Sequence, residues 1–186
     1  MRCFVGIPLD PALAGVVERA QAALARTGAD VRFTRRGAVH MTLKFLGEVA
    51  PERVPALVAA LRVAVTGPAP ALGLSGLGAF PERGAPRVLW AGAGGDVDRL
   101  AEVARAVEGA LGSLGFPAEA RAFAPHWTLG RVRSPRHGRE LRAEIERRSA
   151  DVAGEPLPHP RVVLFESRLE PGGSRYLEVG GVTLTP

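Results

Sequence analysis

Two histidines of this chain stand in the same short pattern, His-x-Thr-Leu, which occurs in "VHMTLKF" (39–45) and in "PHWTLGR" (125–131). In an extended strand the side chains at i and i+2 point to the same side, so His40 projects with Thr42 and His126 projects with Thr128. By composition, two such pairs among four histidines would arise by chance about once in a hundred sequences. The repeat therefore indicates one site that uses both pairs.

An imidazole and a hydroxyl on each side of a substrate suit phosphoryl chemistry. One neutral imidazole can accept a proton from the attacking oxygen, one imidazolium can donate a proton to the leaving oxygen, and the hydroxyls can bind the nonbridging oxygens. Neither motif has the spacing or the neighbouring ligands typical of zinc, so we predict a site without metal or cofactor. The remaining histidines, His137 and His159, lack such partners and are expected to be exposed.

Arg131 and Phe45 are further candidate ligands for a substrate. Strict alternation places both on the side opposite the histidines, with Phe45 in the core and Lys44 on the histidine side. A twist or bulge near the strand end can turn them toward the site. There Arg131 would bind phosphate and Phe45 would stack on a nucleobase, whereas the alternatives are a solvated cation and a core aromatic ring.

Apolar periodicity predicts strands and helices along the whole chain. Asp10 and Asp96 are predicted helix N-caps. A helix is expected from Glu52 to about Val65, and Pro55 favours a later start. The strand that carries His126 is predicted from about Ala120 to Val132.

The order of these elements repeats, and the two histidine strands lie 86 positions apart. We therefore predict a single two-lobed domain over residues 1–186 with an α+β fold. Two mainly antiparallel sheets of this duplicated, bilobal fold would face a central cleft, with the helices on the outside.

The composition excludes several classes of protein. A hydrophobic fraction of 46% with 23% charged residues excludes a disordered chain. No stretch approaches the roughly 18 apolar residues of a membrane span, no signal peptide is recognisable, and the only cysteine, Cys3, cannot form an intramolecular disulfide. We predict a cytoplasmic monomer. The net charge is +5, and every lysine or arginine position except Lys44 is an arginine. This bias favours a phosphate ligand or reflects the base composition of the genome.

Segments spread over almost the whole sequence resemble the two-histidine phosphoesterases, specifically the bacterial and archaeal RNA 2′,3′-cyclic phosphodiesterases historically called 2′-5′ RNA ligases. The resemblance departs from the usual pattern at Phe165, where an aromatic hydroxyl is common, and at Gly130, where a side chain is usual. The segments that carry it are "FVGIPLD", "HMTLKFLGEV", "GLGAFPERGAPRVLWAG", "FAPHWTLGRV" and "LFESRLEPGGSRYLEV".

The resemblance implies an enzyme that opens an RNA-terminal 2′,3′-cyclic phosphate, or a small cyclic nucleotide, to a 2′-phosphomonoester. It assigns His40 as the acid that protonates the leaving 3′ oxygen and His126 as the base that activates water, although the two labels could be exchanged. Thr42, Thr128 and Arg131 would hold the phosphate. The alternatives are 2′-5′ RNA ligation and binding of RNA ends or nucleotides without turnover.

Overall fold

The computed structural model describes residues 1–154, 156–157, 160–170 and 173–184. Within these ranges the chain forms four α-helices and nine β-strands. The helices are α1 (Ala14–Ala25), α2 (Val54–Ala64), α3 (Val97–Ser113) and α4 (Gly138–Arg148). The strands are β1 (Arg2–Pro8), β2 (Val31–Phe33), β3 (His40–Glu48), β4 (Leu72–Phe80), β5 (Val88–Gly95), β6 (His126–Val132), β7 (Pro156–Leu157), β8 (Arg161–Glu170) and β9 (Gly173–Thr183).

The strands form two sheets, with the orders β3-β1-β8-β9 and β2-β6-β5-β4-β7. Every neighbouring pair is antiparallel. Helices α2 and α3 pack on the first sheet, through β9 and β3, whereas α4 packs on β4 of the second sheet and α1 packs on α4. The predicted α+β fold with two antiparallel sheets is confirmed.

The two lobes are not the two halves of the sequence. Strand β2 lies between β1 and β3 in the chain but pairs with β6 in the second sheet. The C-terminal hairpin β8–β9 returns to the first sheet, where β8 pairs with β1. One cluster of buried apolar residues extends through both lobes and includes Met41 of β3 and Trp127 of β6.

The predicted helix caps are confirmed. An Asp10 carboxylate oxygen accepts a hydrogen bond from the Ala12 amide at 2.8 Å, in the 3₁₀ turn that precedes α1. Asp96 accepts one from the Arg99 amide at 3.1 Å at the start of α3. Helix α2 begins at Val54, two residues after Glu52, so the later start that Pro55 favoured is found. Pro55 occupies the second helical position, where an amide has no intrahelical acceptor.

The strand predicted from Ala120 begins only at His126. Residues 120–122 and 124 are exposed, so they offer no apolar face that a sheet could bury. Pro125 has no amide hydrogen to donate, although its carbonyl accepts a bond from the Ala93 amide at 3.3 Å. Sheet pairing therefore starts at the histidine, and the preceding segment forms a loop.

In the described ranges, no helix combines the length and the apolar character that crossing a membrane requires. The monomeric state, the cytoplasmic location and the single domain over residues 1–186 stay predictions from the sequence.

Candidate active site

Both histidine strands contain a β-bulge at the leucine of the motif. In β3, Leu43 has no partner on β1, because Thr42 and Lys44 face adjacent residues of that strand. In β6, Leu129 is unpaired on β5 in the same way. An extra residue shifts the alternation of side chains by one position, so each strand presents a different face after its bulge.

The bulges explain where Phe45 and Arg131 lie. Each is the fifth residue after its histidine and returns to the histidine side, where both line the same cleft. Phe45 is 58% exposed, so its assignment to the core by strict alternation is wrong. The expected position of Lys44 on the histidine side is also wrong, because the same shift buries it almost completely. For Arg131, the turn toward the cleft occurs through a bulge, as predicted.

A cleft with a volume of about 1270 Å³ lies between the sheets. Among the residues that the structure describes, its walls contain seven arginines and two carboxylates, Glu108 and Glu119, so the surface favours an anionic ligand. All six candidate site residues line this cleft: His40, Thr42, Phe45, His126, Thr128 and Arg131.

The two imidazoles are oriented in the same way. Nδ1 of His40 donates to the Ala38 carbonyl at 2.8 Å, and Nδ1 of His126 donates to the Ala124 carbonyl at 2.7 Å. This bond fixes the neutral tautomer that carries its proton on Nδ1, which leaves Nε2 as the basic nitrogen. The repeated pattern is thus Ala-x-His-x-Thr-Leu, and the shared alanine was a signal that the shorter motif missed.

The environment lowers the pKa of both histidines. Burial is the main cause for His40 and lowers its pKa to about 4, with smaller contributions from the positive charges of His126 and Arg131. Burial also lowers the pKa of His126, and Arg131 adds to the effect. Without a bound anion, both imidazoles are therefore neutral near pH 7.

Aromatic rings hold each imidazole, and no specific pattern in the sequence pointed to them. Phe4 and Tyr176 pack on His40 with ring centroids 4.5 and 4.7 Å away. Phe80 packs edge-on against His126 at 5.1 Å. Phe165, which lacks the hydroxyl common in the resembling family, stacks on Phe4 at 5.1 Å, and Tyr176 brings a phenol to the same cluster.

The only lysine connects β3 to α3 and to the loop that precedes β6. Lys44 Nζ donates to Glu108 Oε1 and to the Pro117 carbonyl, both at 2.7 Å. Glu108 also accepts from the Glu119 amide at 3.1 Å, and the Glu119 carboxylate accepts from the Phe45 amide at 3.0 Å. The network therefore connects the backbone beside the β3 bulge to the start of the loop that contains Ala124 and precedes β6.

Glycine at position 130 allows β2 to approach β6. A Cβ atom there would lie 3.0 Å from Val31 Cγ1 and 3.1 Å from the Arg32 carbonyl. The family that the sequence resembles usually has a side chain at this position. Without one, the edge strand β2 fits against β6.

Two further predictions concern the other histidines and metal binding. His137 is exposed at the start of α4, as predicted, whereas His159 lies outside the described residues. Among the residues that the structure describes, no three metal-ligating side chains lie together. Independence from metals stays a prediction that a chelator can test.

A phosphate bound in the cleft is expected to raise the pKa of both histidines, because an anion favours the imidazolium form. His40 should titrate near pH 4 in the free protein and higher with saturating inorganic phosphate. Phosphate binding is then coupled to proton uptake by the histidines. The affinity for phosphate should therefore increase as the pH falls from the histidine pKa of the phosphate-bound protein toward that of the free protein. NMR titration of the imidazole resonances measures both values, and identical values with and without phosphate would contradict the expectation.

Two imidazoles and two threonine hydroxyls in one arginine-lined cleft define a site of the phosphoesterase type. The chain belongs to the LigT-like phosphoesterase family, since residues 7–90 and 95–176 match the family described as "LigT like Phosphoesterase". The two-histidine phosphoesterase resemblance of the sequence is thereby confirmed.

Relatives of this chain share much of its length. It is 30% identical over 180 residues to a protein of Methanothermobacter thermautotrophicus, covering 96% of each chain. It is 35% identical over 125 residues to a protein of Aeropyrum pernix, covering 67% of this chain and 70% of that one. Both relatives carry the name RNA 2′,3′-cyclic phosphodiesterase.

Solved structures share the fold. TT0787 of Thermus thermophilus superposes with a TM-score of 0.76 at 25% identity, covering 99% of this chain and 98% of that one. E. coli LigT complexed with 3′-AMP superposes with a TM-score of 0.74 at 24% identity, covering 100% and 99%.

Proposed function

We propose that this chain hydrolyses the 2′,3′-cyclic phosphate at the end of an RNA to a 2′-phosphomonoester, by general acid-base catalysis with two histidines and no metal. The observation that carries the proposal is the matched pair His40 and His126, each held through Nδ1 by a backbone carbonyl in the same cleft. The names of the relatives support a cyclic phosphodiester as the substrate.

In this reaction a water oxygen attacks phosphorus as its proton passes to Nε2 of His126. The bond from phosphorus to the 3′ oxygen breaks, and Nε2–H of His40 protonates that oxygen, which leaves a 3′-hydroxyl and a 2′-phosphate. Thr42, Thr128 and Arg131 bind the nonbridging oxygens, whose negative charge is more concentrated in the transition state.

The lowered pKa values favour a neutral imidazole as base. The acid must be protonated, and the charge of the bound phosphodiester supplies the necessary increase in pKa. His40, with a pKa of about 4 in the free protein, depends most on that increase. The same geometry serves the reverse assignment, in which His126 is the acid.

Phe45 is proposed to stack on the terminal nucleobase. Its ring is 58% exposed in the cleft and lies 6.2 Å, between centroids, from Phe4, which itself contacts His40. An exposed ring beside the reacting groups offers a sequence-tolerant platform for a base.

An RNA oligonucleotide with a 3′-terminal cyclic phosphate tests the function. We expect a product that carries only a 2′-phosphate, identified by phosphorus NMR, and an unchanged rate in excess chelator. A chelator-sensitive enzyme whose activity zinc restores would contradict the mechanism.

The same experiment separates the alternatives. If a second RNA with a 5′-hydroxyl is present, ligation yields a 2′-5′ linkage instead of a free 2′-phosphate. Tight binding with no product at any pH would favour a role in binding RNA ends without turnover.

A further inference from the structure

Two arginines lie directly opposite each other at the edge of the cleft. In the antiparallel pair β2–β6, Arg32 faces Arg131, so both side chains lie on the same face of the sheet. Both residues are exposed, and both line the cleft that contains the histidines. Strand β2 is the edge of its sheet, so Arg32 lies one strand further from the centre of the sheet than Arg131.

Like charges directly opposite each other destabilise a sheet. The ion pairs found in the described part of the chain involve other basic groups, so no carboxylate there neutralises Arg32 or Arg131. Two unneutralised guanidinium groups side by side in a cleft favour a ligand that carries more than one negative charge.

Arg32 reaches from one lobe to the other. Its guanidinium packs on Gly173 at the start of β9, where an added Cβ atom would lie 3.2 Å from the Arg32 Cζ atom. This contact lies on the part of the β8–β9 hairpin that extends past the end of β1, since the pairing of β1 with β8 stops at Glu166. The guanidinium therefore lies between the edge strand β2 and the β8–β9 hairpin.

The β8–β9 hairpin contributes uncharged side chains to this part of the cleft wall. Ser167, Leu169 and Ser174 of the hairpin line it, and Leu169 is 80% exposed. Arg131 lies on the strand that carries His126, and its positive charge lowers the pKa of both imidazoles, whereas Arg32 lies on the edge strand with its guanidinium against Gly173. Arg131 thus belongs to the reacting centre, and Arg32 belongs to a second position further out.

We propose that Arg32 binds the phosphodiester that precedes the cyclic phosphate, with Leu169 against the sugar or base of that upstream nucleotide. The proposal rests on the cyclic phosphodiesterase function and narrows its substrate to the end of an RNA strand, as opposed to a small cyclic nucleotide. Arg131 then binds the reacting phosphate and Arg32 binds the neighbouring phosphodiester. The two arginines thus bind the two negative charges at the end of the RNA.

The test compares three substrates: adenosine 2′,3′-cyclic phosphate, the dinucleotide ApA with a 2′,3′-cyclic phosphate, and the same dinucleotide with an uncharged methylphosphonate linkage. We expect kcat/KM of the wild type to be about tenfold or more higher for the charged dinucleotide than for the mononucleotide, as a hydrogen bond between charged groups provides. The methylphosphonate and the variant Arg32→Gln should each remove most of this ratio.

Arg62→Gln is the matched control, since Arg62 is exposed on α2, outside the cleft, and its replacement changes the net charge equally. It should leave the ratio unchanged. A wild-type ratio near one, a ratio that Arg32→Gln does not alter, or an Arg32→Gln effect that is equal for the charged and the methylphosphonate dinucleotides would overturn the proposal.

Two further measurements distinguish a phosphate subsite from a purely structural role of Arg32. Arg32→Gln should not lower the urea midpoint of unfolding, because it removes a like-charge repulsion, and a lowered midpoint would indicate a structural role.

If the wild type hydrolyses none of the three substrates, the proposed function fails, and binding measurements test the subsite instead. ApA with a 3′-phosphate should then bind more tightly than 3′-AMP to the wild type but not to Arg32→Gln, and equal affinities would refute it.

Discussion

Replacing either His40 or His126 with alanine is expected to lower kcat on an RNA-terminal cyclic phosphate by about a hundredfold or more. Each variant removes one of the two groups proposed to transfer protons in the transition state, and a positioned acid or base typically contributes a factor of that size. Product formation under saturating substrate measures the effect. Because both imidazoles act in one step of the proposed mechanism, the double variant should be little slower than either single variant.

His137→Asn provides the control for these variants. His137 is an exposed histidine outside the cleft with a positive φ of 54°, a conformation that asparagine tolerates better than alanine. It should retain full activity. Wild-type turnover in both His40→Ala and His126→Ala would end the proposed mechanism.

Replacing Glu108 with alanine is expected to lower the free energy of unfolding by about 3 kcal/mol, at the lower end of the range for breaking a buried ion pair. The Lys44 ammonium would lose its carboxylate partner while it remains buried among the groups of α3 and the following loop. The side chain of Glu108 is 31% exposed, so water can solvate part of the site, which places the loss at that lower end. Urea unfolding measures it.

A second background isolates the cause. In Lys44→Met no buried charge remains, so adding Glu108→Ala should cost much less than it does in the wild type. Glu102→Ala, which removes an ion pair with Arg99 on the surface of the same helix, should change the stability by less than about 1 kcal/mol. An equal cost of Glu108→Ala in both backgrounds would show that the ion pair is not responsible.

The sequence could predict that the two histidine–threonine pairs lie together because the strand context of each pair is local. His40 and Thr42 lie two positions apart, and the period of an extended strand alone places them together. The repetition of the motif then indicated a second, equivalent strand, and both strands are found beside the same cleft. The caps at Asp10 and Asp96 were predictable for the same reason, since each bonds to an amide within three residues.

Features that depend on a distant partner could not be predicted. A bulge is defined against the neighbouring strand, so nothing within "HMTLKF" states that Leu43 is the unpaired residue. Lys44 looked like a polar residue of the histidine side, because its partner Glu108 lies 64 positions away. The pairing of β2 with β6 is equally non-local, and with it the juxtaposition of Arg32 and Arg131.

The exchange of strands between the lobes affects how the nascent chain can fold. When β1 and β3 leave the ribosome they can pair with each other, but the other edge of β1 stays open until β8 is synthesised, after β7 of the second sheet. An apolar strand with an unpaired edge is prone to wrong association, so this period favours shielding by a chaperone. Co-translational folding would therefore complete the second sheet, whose last strand is β7, before the first sheet can close.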